Sequence, residues 1–409
     1  MSLLGCIADD YTGGADVAAA LRRGGLRTAL LFGRPETAVD LTDCDAVVVA
    51  LKTRTAPATT AIAETLQVRS WMAGRGADRV YFKYCSTFDS TPQGNIGAVA
   101  DGLLDADGSR LTVVCPSTPD QGRTVHNGHL FVGDVPLSES PMRDHPLTPM
   151  TDSDLVRVLG AQTPHRVGLV GLPVVRRGAD AVRSELAAMR HRGVRYAVTD
   201  ALTEEDLRTV ARAASGLTTL TGAAGLAHAL AGTLAAGAST KARDIPEIPA
   251  GPALVLAGSC SRTTLEQVDR AREHLPAHRL DLRAVPDPER LHELADDWLR
   301  EHGDGGPLLV YSSAPPEERT SDSASYERIL AALARSAVQL GYRRLVVAGG
   351  ETSGAVVNAL GVTAVAVTGE ADRGVPWCVH DGDPPVALLL KSGNFGRPDL
   401  LTRAAQGRS

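Results

Sequence analysis

Short runs of β-branched and aliphatic residues alternate along this chain with longer, Ala-rich stretches. Leu3 to Ile7 precedes Ala15 to Arg23, Ala46 to Ala50 precedes Thr59 to Met72, and Val80 to Lys83 precedes Ile96 to Leu104. Continuous apolar runs of this kind read as strands buried on both faces, and the Ala-rich stretches as the helices that cover them. The pattern predicts an α/β fold with mostly parallel sheets. It continues through Thr112 to Cys115, Arg166 to Val170, Ala181 to Arg190, Tyr196 to Thr199 and Glu204 to Ala213. Between Cys115 and Met150 the helical period is absent. There Thr124 to His126 and His129 to Val132 flank Asn127 and Gly128, a strong hairpin signal, so a β-ribbon insertion in the N-terminal domain is expected.

The stretch from Gly232 to Pro252 is rich in small residues and proline and reads as a linker. Two α/β domains follow, 1–240 and 250–409, with a boundary near residue 245. Beyond it the alternation restarts with Ala253 to Ala257, a helix from Thr263, strands Ala277 to Leu282 and Leu308 to Ser312 around a helix over Leu291 to Arg300, a helix over Tyr326 to Leu340, and strand Arg344 to Ala348.

Composition narrows the function. The 409 residues are 43% apolar and 22% charged with a net charge of -6, the profile of a soluble globular protein and not of one with a basic nucleic-acid face. Five Phe, seven Tyr and three Trp are too few for base-stacking platforms. No run approaches the roughly 18 apolar residues of a membrane span, and Asp9 and Asp10 interrupt the N-terminal apolar run before a signal-peptide core forms. Six scattered cysteines without a CxxC pair read as thiols in a reducing compartment, so the expected location is the cytoplasm, with no membrane or nucleic-acid partner. Among 42 Lys and Arg residues only Lys52, Lys83, Lys241 and Lys391 are Lys. Where Arg is used almost everywhere else, a retained Lys either marks a place for a compact ammonium or is an ordinary surface charge.

Glycine-rich turns come next. Leu345 to Ala348 runs into Gly349, Gly350, Glu351, Thr352, Ser353 and Gly354 ahead of a helix over Ala355 to Leu360; Leu254 to Ala257 runs into Gly258, Ser259, Cys260 and Ser261; and Leu388 to Lys391 runs into Ser392, Gly393 and Asn394. Turns of this kind point backbone N–H groups and the positive end of a helix at an anion, and ligands of α/β sheets gather at strand C-termini. Three in one domain indicate a polyphosphate. Neither GxxxxGK[ST] nor a strand-linked GxGxxG occurs, which excludes a P-loop protein and disfavours an ordinary dehydrogenase.

In the first domain, Asp9 and Asp10 stand at the end of strand one, where paired carboxylates bind sugar hydroxyls, accept a proton or hold a metal; one of them also suits a helix cap. Lys52 and Arg54 could clamp an acidic substrate. Lys83, Asp89, Ser90 and Asn95, in a segment dense with hydroxyls, suit a polyol. Arg123 and His145 belong to the ribbon segment. His126 and His129 flank the hairpin without an acidic or Cys partner, and no GxSxG elbow is present, so neither a zinc site nor a serine hydrolase is indicated.

Taken together, Ile7 to Asp16, Lys83 to Asn95, Gly122 to Thr124, Gly128 to Asp134, His145 to Asp152, Gly349 to Gly354, Gly374 to Trp377 and Lys391 to Gly396 resemble the four-carbon acid sugar kinase family over nearly the whole chain, most closely its 3-oxo-tetronate kinase branch. The resemblance implies an N-terminal sugar-acid domain, a C-terminal ATP domain, and phosphorylation of the C4 hydroxyl of a 3-dehydrotetronate. It implies ATP contacts at Ser259, Gly349 to Thr352 and Gly393, the same turns found from the residues alone. Mg2+ is expected to bridge the phosphates, Lys391 to add a point charge, and Asp10, or else Asp9 or Asp89, to accept the hydroxyl proton. Lys52, Arg54, Lys83, Ser90, Asn95, Arg123 and His145 are the expected sugar-acid contacts, with Arg54, Lys52 and Arg123 as the candidates for its carboxylate; metal ligands are not assigned, and a homodimer stays open. Threonate or erythronate as substrate, and a non-catalytic sugar-acid or nucleotide sensor, are the alternatives. The chain departs from the family pattern at Tyr11, at Gly14, where Ala is expected, in Ser117 to Gln121, and in Thr221 to Gly225, where Ala224 lacks the expected hydroxyl.

Overall fold

The computed structural model describes residues 3–35, 39–145, 147–235, 247–303, 306–320 and 322–407. Most of the stretch read as a linker, 236–246, lies outside them. The chain divides into two compact units, Met1–Arg243 and Asp244–Ser409.

In the first unit the strands are β1 (Leu4–Ala8), β2 (Thr28–Phe32), β3 (Ala46–Ala50), β4 (Arg79–Lys83), β5 (Thr112–Cys115), β6 (Arg123–His126), β7 (His129–Val132), β8 (Val135–Pro136), β9 (Arg166–Val170), β10 (Val194–Thr199) and β11 (Thr219–Gly222). Among the described residues, eight of them form the unit's main sheet in the order β2-β3-β1-β4-β11-β5-β10-β9. Every neighbouring pair in it is parallel. The chain builds β2 and β3 on one side of β1 and then crosses to lay β4 on the other. The C-terminal ends of β3, β1 and β4 therefore sit side by side where the strand order reverses, the place where ligands bind open α/β sheets.

The ribbon is present. β6 and β7 pair antiparallel with His126 opposite His129, and β8 adds a third strand. Asn127 and Gly128 turn it with φ of 50° and 75°, the left-handed pair that a two-residue hairpin of this type requires. Asp200, fully buried after β10, accepts from the N–H groups of Asn127, Gly128 and Leu172 at 2.8–2.9 Å and so fastens the turn to the sheet.

The second unit contains β12 (Ala253–Ala257), β13 (Ala277–Arg279), β14 (Leu308–Tyr311), β15 (Arg344–Ala348), β16 (Ala364–Asp372), β17 (Val375–His380) and β18 (Val386–Lys391). Their order is β13-β14-β12-β15-β18-β17-β16. The first five are parallel, while β17 runs antiparallel to both β16 and β18. Residues from β12, β15, β17 and β18, including Val255, Val346, Trp377 and Leu389, share one buried cluster. The sequence pattern did not resolve β2, β11 or the β16–β17 hairpin. It also placed the helix after β15 too late: that helix runs Gly350–Ala359 because Gly349, at φ 132°, completes the turn in a single residue.

The helix Tyr11–Arg23 lies so close on β3 that a Cβ at Gly14 would overlap that of Ala50. The alanine expected from the family pattern does not fit this packing. Gly14→Ala is therefore expected to lower stability in denaturant melts by about 1–3 kcal/mol through overpacking. In an Ala50→Gly background the same step becomes neutral or stabilising. Losses that simply add would show that Ala50 is not the obstacle.

Candidate active site

In the first unit the site is built on the first turn of the helix Tyr11–Arg23. Asp10 caps that helix: its carboxylate accepts from the Gly13 N–H at 2.9 Å and from the Thr12 hydroxyl at 2.7 Å. Arg54, just beyond β3, reaches across to both carboxylates. Its Nε and Nη2 bind the two oxygens of Asp9 at 3.0 and 2.8 Å, and Nη2 also lies 2.6 Å from Asp10 Oδ1. The ends of β1 and β3 are thus cross-linked by charge. Asn95 fixes the loop that carries Arg54, its side-chain amide donating to the carbonyls of Thr53 at 2.6 Å and Ala56 at 3.0 Å.

Lys83 closes the ring from the end of β4. Its side chain is 3% exposed, and its ammonium lies 3.9 Å from Oδ2 of Asp16, which follows the cap on the same helix. Nζ lies 3.2 Å, and Arg54 Nη2 3.5 Å, from where a Cβ of Gly13 would stand. The missing side chain at Gly13 leaves room for these cations over the helix N-terminus.

Electrostatics differ among the carboxylates. Burial pushes Asp9 up, and the charge of Asp10 adds to that against the pull of Arg54. Burial works against Asp10 as well, yet Arg54, Lys83, the Thr12 hydroxyl and the Gly13 N–H outweigh it and hold its carboxyl below the ordinary value. Asp16 is raised to about 6 by burial, despite Lys83 and Arg23.

The segment after β4 turns sharply. Phe88 has φ of 52°, a left-handed conformation rare for a bulky residue, held by complete burial and by its ring edge against Tyr84 at 5.2 Å. The turn sets Cys85, Thr87 and Asp89 in a line, with the Thr87 hydroxyl 3.0 Å from the Cys85 sulfur and donating to Asp89 at 2.6 Å. Arg123 is mostly buried, which lowers its pKa, while Cys85, Asp89 and Asp16 act on it in the opposite sense. Its guanidinium also donates to the Gln121 carbonyl.

The remaining expected contacts stand differently. Ser90 accepts from Gln162 Nε2 at 3.0 Å, and its N–H meets the Met150 sulfur at 3.4 Å, which ties it to the segment of His145. His145 Nδ1 lies 3.1 Å from the Thr148 N–H and 3.0 Å from its hydroxyl. Lys52 is exposed, 5.7 Å above the Tyr11 ring. Sequence reasoning missed Asp16 as a site residue; the available signal was its spacing after Thr12 and Gly13, which puts it on the same helix face.

In the second unit, β12, β15 and β18 are adjacent and parallel, so their three turns meet. The N–H groups of Gly258 and Ser259 donate to Ala348 O at 3.0 and 3.1 Å, and Gly349 N–H donates to Lys391 O at 2.9 Å. A Cβ at Gly258 would overlap the Thr352 hydroxyl, and one at Gly393 would overlap that of Ser259. A Cβ at Gly349 would stand 3.1 Å from the Ser259 nitrogen. The glycines let three backbones close into one cradle, into which the helix Gly350–Ala359 opens without a side-chain cap. Glu351 is exposed on its first turn and Thr352 is buried.

Lys391 departs from expectation. Fully buried, its ammonium donates to Thr264 Oγ1 at 2.9 Å, Ser392 O at 3.0 Å and Gly393 O at 2.9 Å, and burial pulls its pKa down to about 7. With three donors so engaged it orders the Gly393 turn instead of offering a point charge to phosphate. Gln267 does the same further along, its amide lying 2.9–3.1 Å from the carbonyls of Phe395, Gly396 and Arg397.

One α/β unit gathers fixed charge at its strand ends, which suits a polar or acidic ligand, and the other gathers glycine turns at its own, which suits an anion. Residues 4–230 match the family model of a sugar-binding N-terminal domain and residues 254–401 that of a nucleotide-binding C-terminal domain. A Burkholderia multivorans protein named 3-oxo-tetronate kinase is 45% identical over 98% of this chain and 96% of its own length. A Cupriavidus necator protein of the same name is 46% identical with the same coverage. A Salmonella typhimurium protein provisionally described as a tRNA synthase has a similar structure, with a TM-score of 0.87 and 37% identity over 100% of both chains. The chain belongs to the four-carbon acid sugar kinase family.

Arg54→Met is expected to cost about 3–5 kcal/mol at neutral pH by stranding two buried carboxylates. Asp10, held below its ordinary 3.8, contributes stability that is present above that value and lost as pH falls through its lower folded value. Without Arg54, burial leaves both carboxyls raised, so the variant takes up protons at higher pH than the wild type and its deficit in denaturant melts narrows as pH falls from neutral down through the lowered folded value of Asp10. A deficit independent of pH would show that Arg54 does not hold these charges.

Proposed function

We propose that this chain transfers the γ-phosphoryl group of ATP to the C4 hydroxyl of a four-carbon 3-oxo sugar acid, such as 3-dehydroerythronate. The observation that carries this reading is the end-to-end likeness to proteins named 3-oxo-tetronate kinase, at 45% identity over 98% of the chain. The two strand-end sites give it a chemical basis. Free cysteines and the absence, among the described residues, of a helix fit to cross a membrane suit a cytoplasmic enzyme.

Phosphoryl transfer proceeds through a loose transition state, so the protein chiefly positions the reactants and balances charge. In the nucleotide-binding unit, the N–H groups opening the helix at Gly350, with Ser259, Gly349, Glu351, Thr352 and Gly393, would hold the phosphate chain. Among the described residues no three His, Cys, Asp or Glu side chains gather as a metal site. Glu351, exposed on the first turn of that helix, would be the carboxylate offered to a Mg2+ brought in on the nucleotide, and the ion would neutralise phosphate charge. In the sugar-binding unit, Lys83 and Arg123 would be the cations that meet the acid and its oxygens, with Lys52 and His145 as outer contacts. Asp9, Asp10 and Asp89 would accept from substrate hydroxyls, while Arg54, Ser90 and Asn95 keep the pocket in shape.

The reading is tested by coupled ADP release with Mg-ATP against 3-dehydroerythronate, 3-dehydrothreonate, erythronate and threonate. Selective turnover of a 3-oxo acid is the expected result. Turnover of erythronate or threonate alone would reassign the substrate, and binding without ADP would make the protein a sensor. Gly258→Ala, which drives Thr352 out of the cradle, is expected to raise the KM for ATP by about tenfold or more. A change confined to the KM for the sugar acid would overturn the division of labour between the units.

A further inference from the structure

Four carboxylates stand in the sugar-binding site, and three are engaged by strong donors. Both oxygens of Asp9 are bound by Arg54. Asp10 accepts from Thr12, Gly13 and Arg54. Asp89 accepts the Thr87 hydroxyl at 2.6 Å. Asp16 is as buried as these, yet its contacts are weak: Gln121 Nε2 stands 3.4 Å from Oδ1, and Lys83 Nζ stands 3.9 Å from Oδ2. A buried carboxylate costs free energy unless it is well paired, so one left this open has a partner yet to come.

Lys83 gives the same indication from the opposite charge. Among the described residues its buried ammonium has no hydrogen-bond acceptor, only the ion pair with Asp16, and it faces the space over Gly13. An oxygen seated on Nζ at roughly 2.9 Å also comes within hydrogen-bond reach of Asp16 Oδ2. A hydroxyl fits both groups at once, since it accepts from the ammonium and donates to the carboxylate.

We infer that Asp16 is the proton acceptor for the sugar-acid hydroxyl and that Lys83 steadies the oxygen as it loses its proton. The inference rests on the kinase reading above. As the O–H bond breaks, its proton passes to Asp16 Oδ2. The freed oxygen pair forms the O–P bond to the γ-phosphorus, the bond from that phosphorus to the β-γ bridging oxygen breaks, and ADP leaves with that electron pair; the proton later returns to solvent. The groups facing Asp16 are Lys83 and Tyr81 from β4, Arg23 from its own helix, Asp120 and Gln121 from the turn before the ribbon, and Arg123 from β6. Their balance leaves Asp16 raised to about 6, so that it is ionised at neutral pH yet basic enough to take a proton.

The test measures kcat from pH 5 to 8 for the wild type, Asp16→Asn and Asp89→Asn, with sugar-acid affinity from calorimetry. Wild-type kcat should fall below about pH 6 as Asp16 takes up a proton. Asp16→Asn should lose roughly 10²- to 10⁴-fold in kcat and lose that acid limb, with sugar-acid affinity and the KM for ATP within about threefold of wild type. Asp16→Glu, which keeps the carboxylate, should keep the limb at reduced kcat and serves if the asparagine variant does not fold. Asp16→Asn with kcat within about threefold and an unchanged limb overturns the inference, as does loss of both on Asp89→Asn instead. A wild type that releases no ADP with any of the four acids overturns the kinase reading, and this inference with it.

Discussion

A single guanidinium holds the sugar-binding unit's strand ends together. Adjacent carboxylates at the end of β1 repel each other and resist burial, and Arg54 reconciles them by binding both at once. Its planar fork makes this possible; an ammonium could not match the two oxygens of Asp9 and still reach Asp10. The cap at Asp10 and the guanidinium share one carboxylate oxygen, and the missing side chain at Gly13 leaves room for both. Asn95, through its grip on the carbonyls beside Arg54, is a remote support of the same arrangement.

The nucleotide-binding unit solves the reverse problem. A polyphosphate needs donors, and the donors are backbone N–H groups that become available only where chains approach closely. Glycines at 258, 349 and 393 permit the approach, and the buried groups Lys391, Thr264 and Gln267 keep the third turn from relaxing away from the other two. The ammonium of Lys391 lies beneath this cradle and is spent on the turn itself, which leaves the anion to backbone dipoles.

Much of this was legible in the sequence because the signals are local. Strand runs, the Asn127–Gly128 turn and the glycine turns depend on neighbours in the chain. The missed elements depend on distant ones: β2 and β11 are defined by the strands they pair with, and the β16–β17 hairpin departs from the parallel rhythm that guided the reading. In the site, residue types were readable but their partners were not. Arg54 looked like a clamp for substrate, yet it meets two carboxylates from another strand end. Lys391 looked like a phosphate ligand, yet Thr264, 127 residues away in sequence, supplies one of its acceptors. Asp16 was one polar letter in an Ala-rich helix until the fold brought Lys83 to it.

The scarcity of lysine acquires a practical meaning once burial is known. Lys83 and Lys391 are enclosed, whereas Lys52 lies open at the end of β3. Amine-directed dyes, cross-linkers and coupling resins would therefore find among the described lysines chiefly one address, two residues from the arginine that organises the sugar-binding site. Attachment at Lys52 would report on that site or obstruct it, while the many exposed arginines remain silent to such reagents.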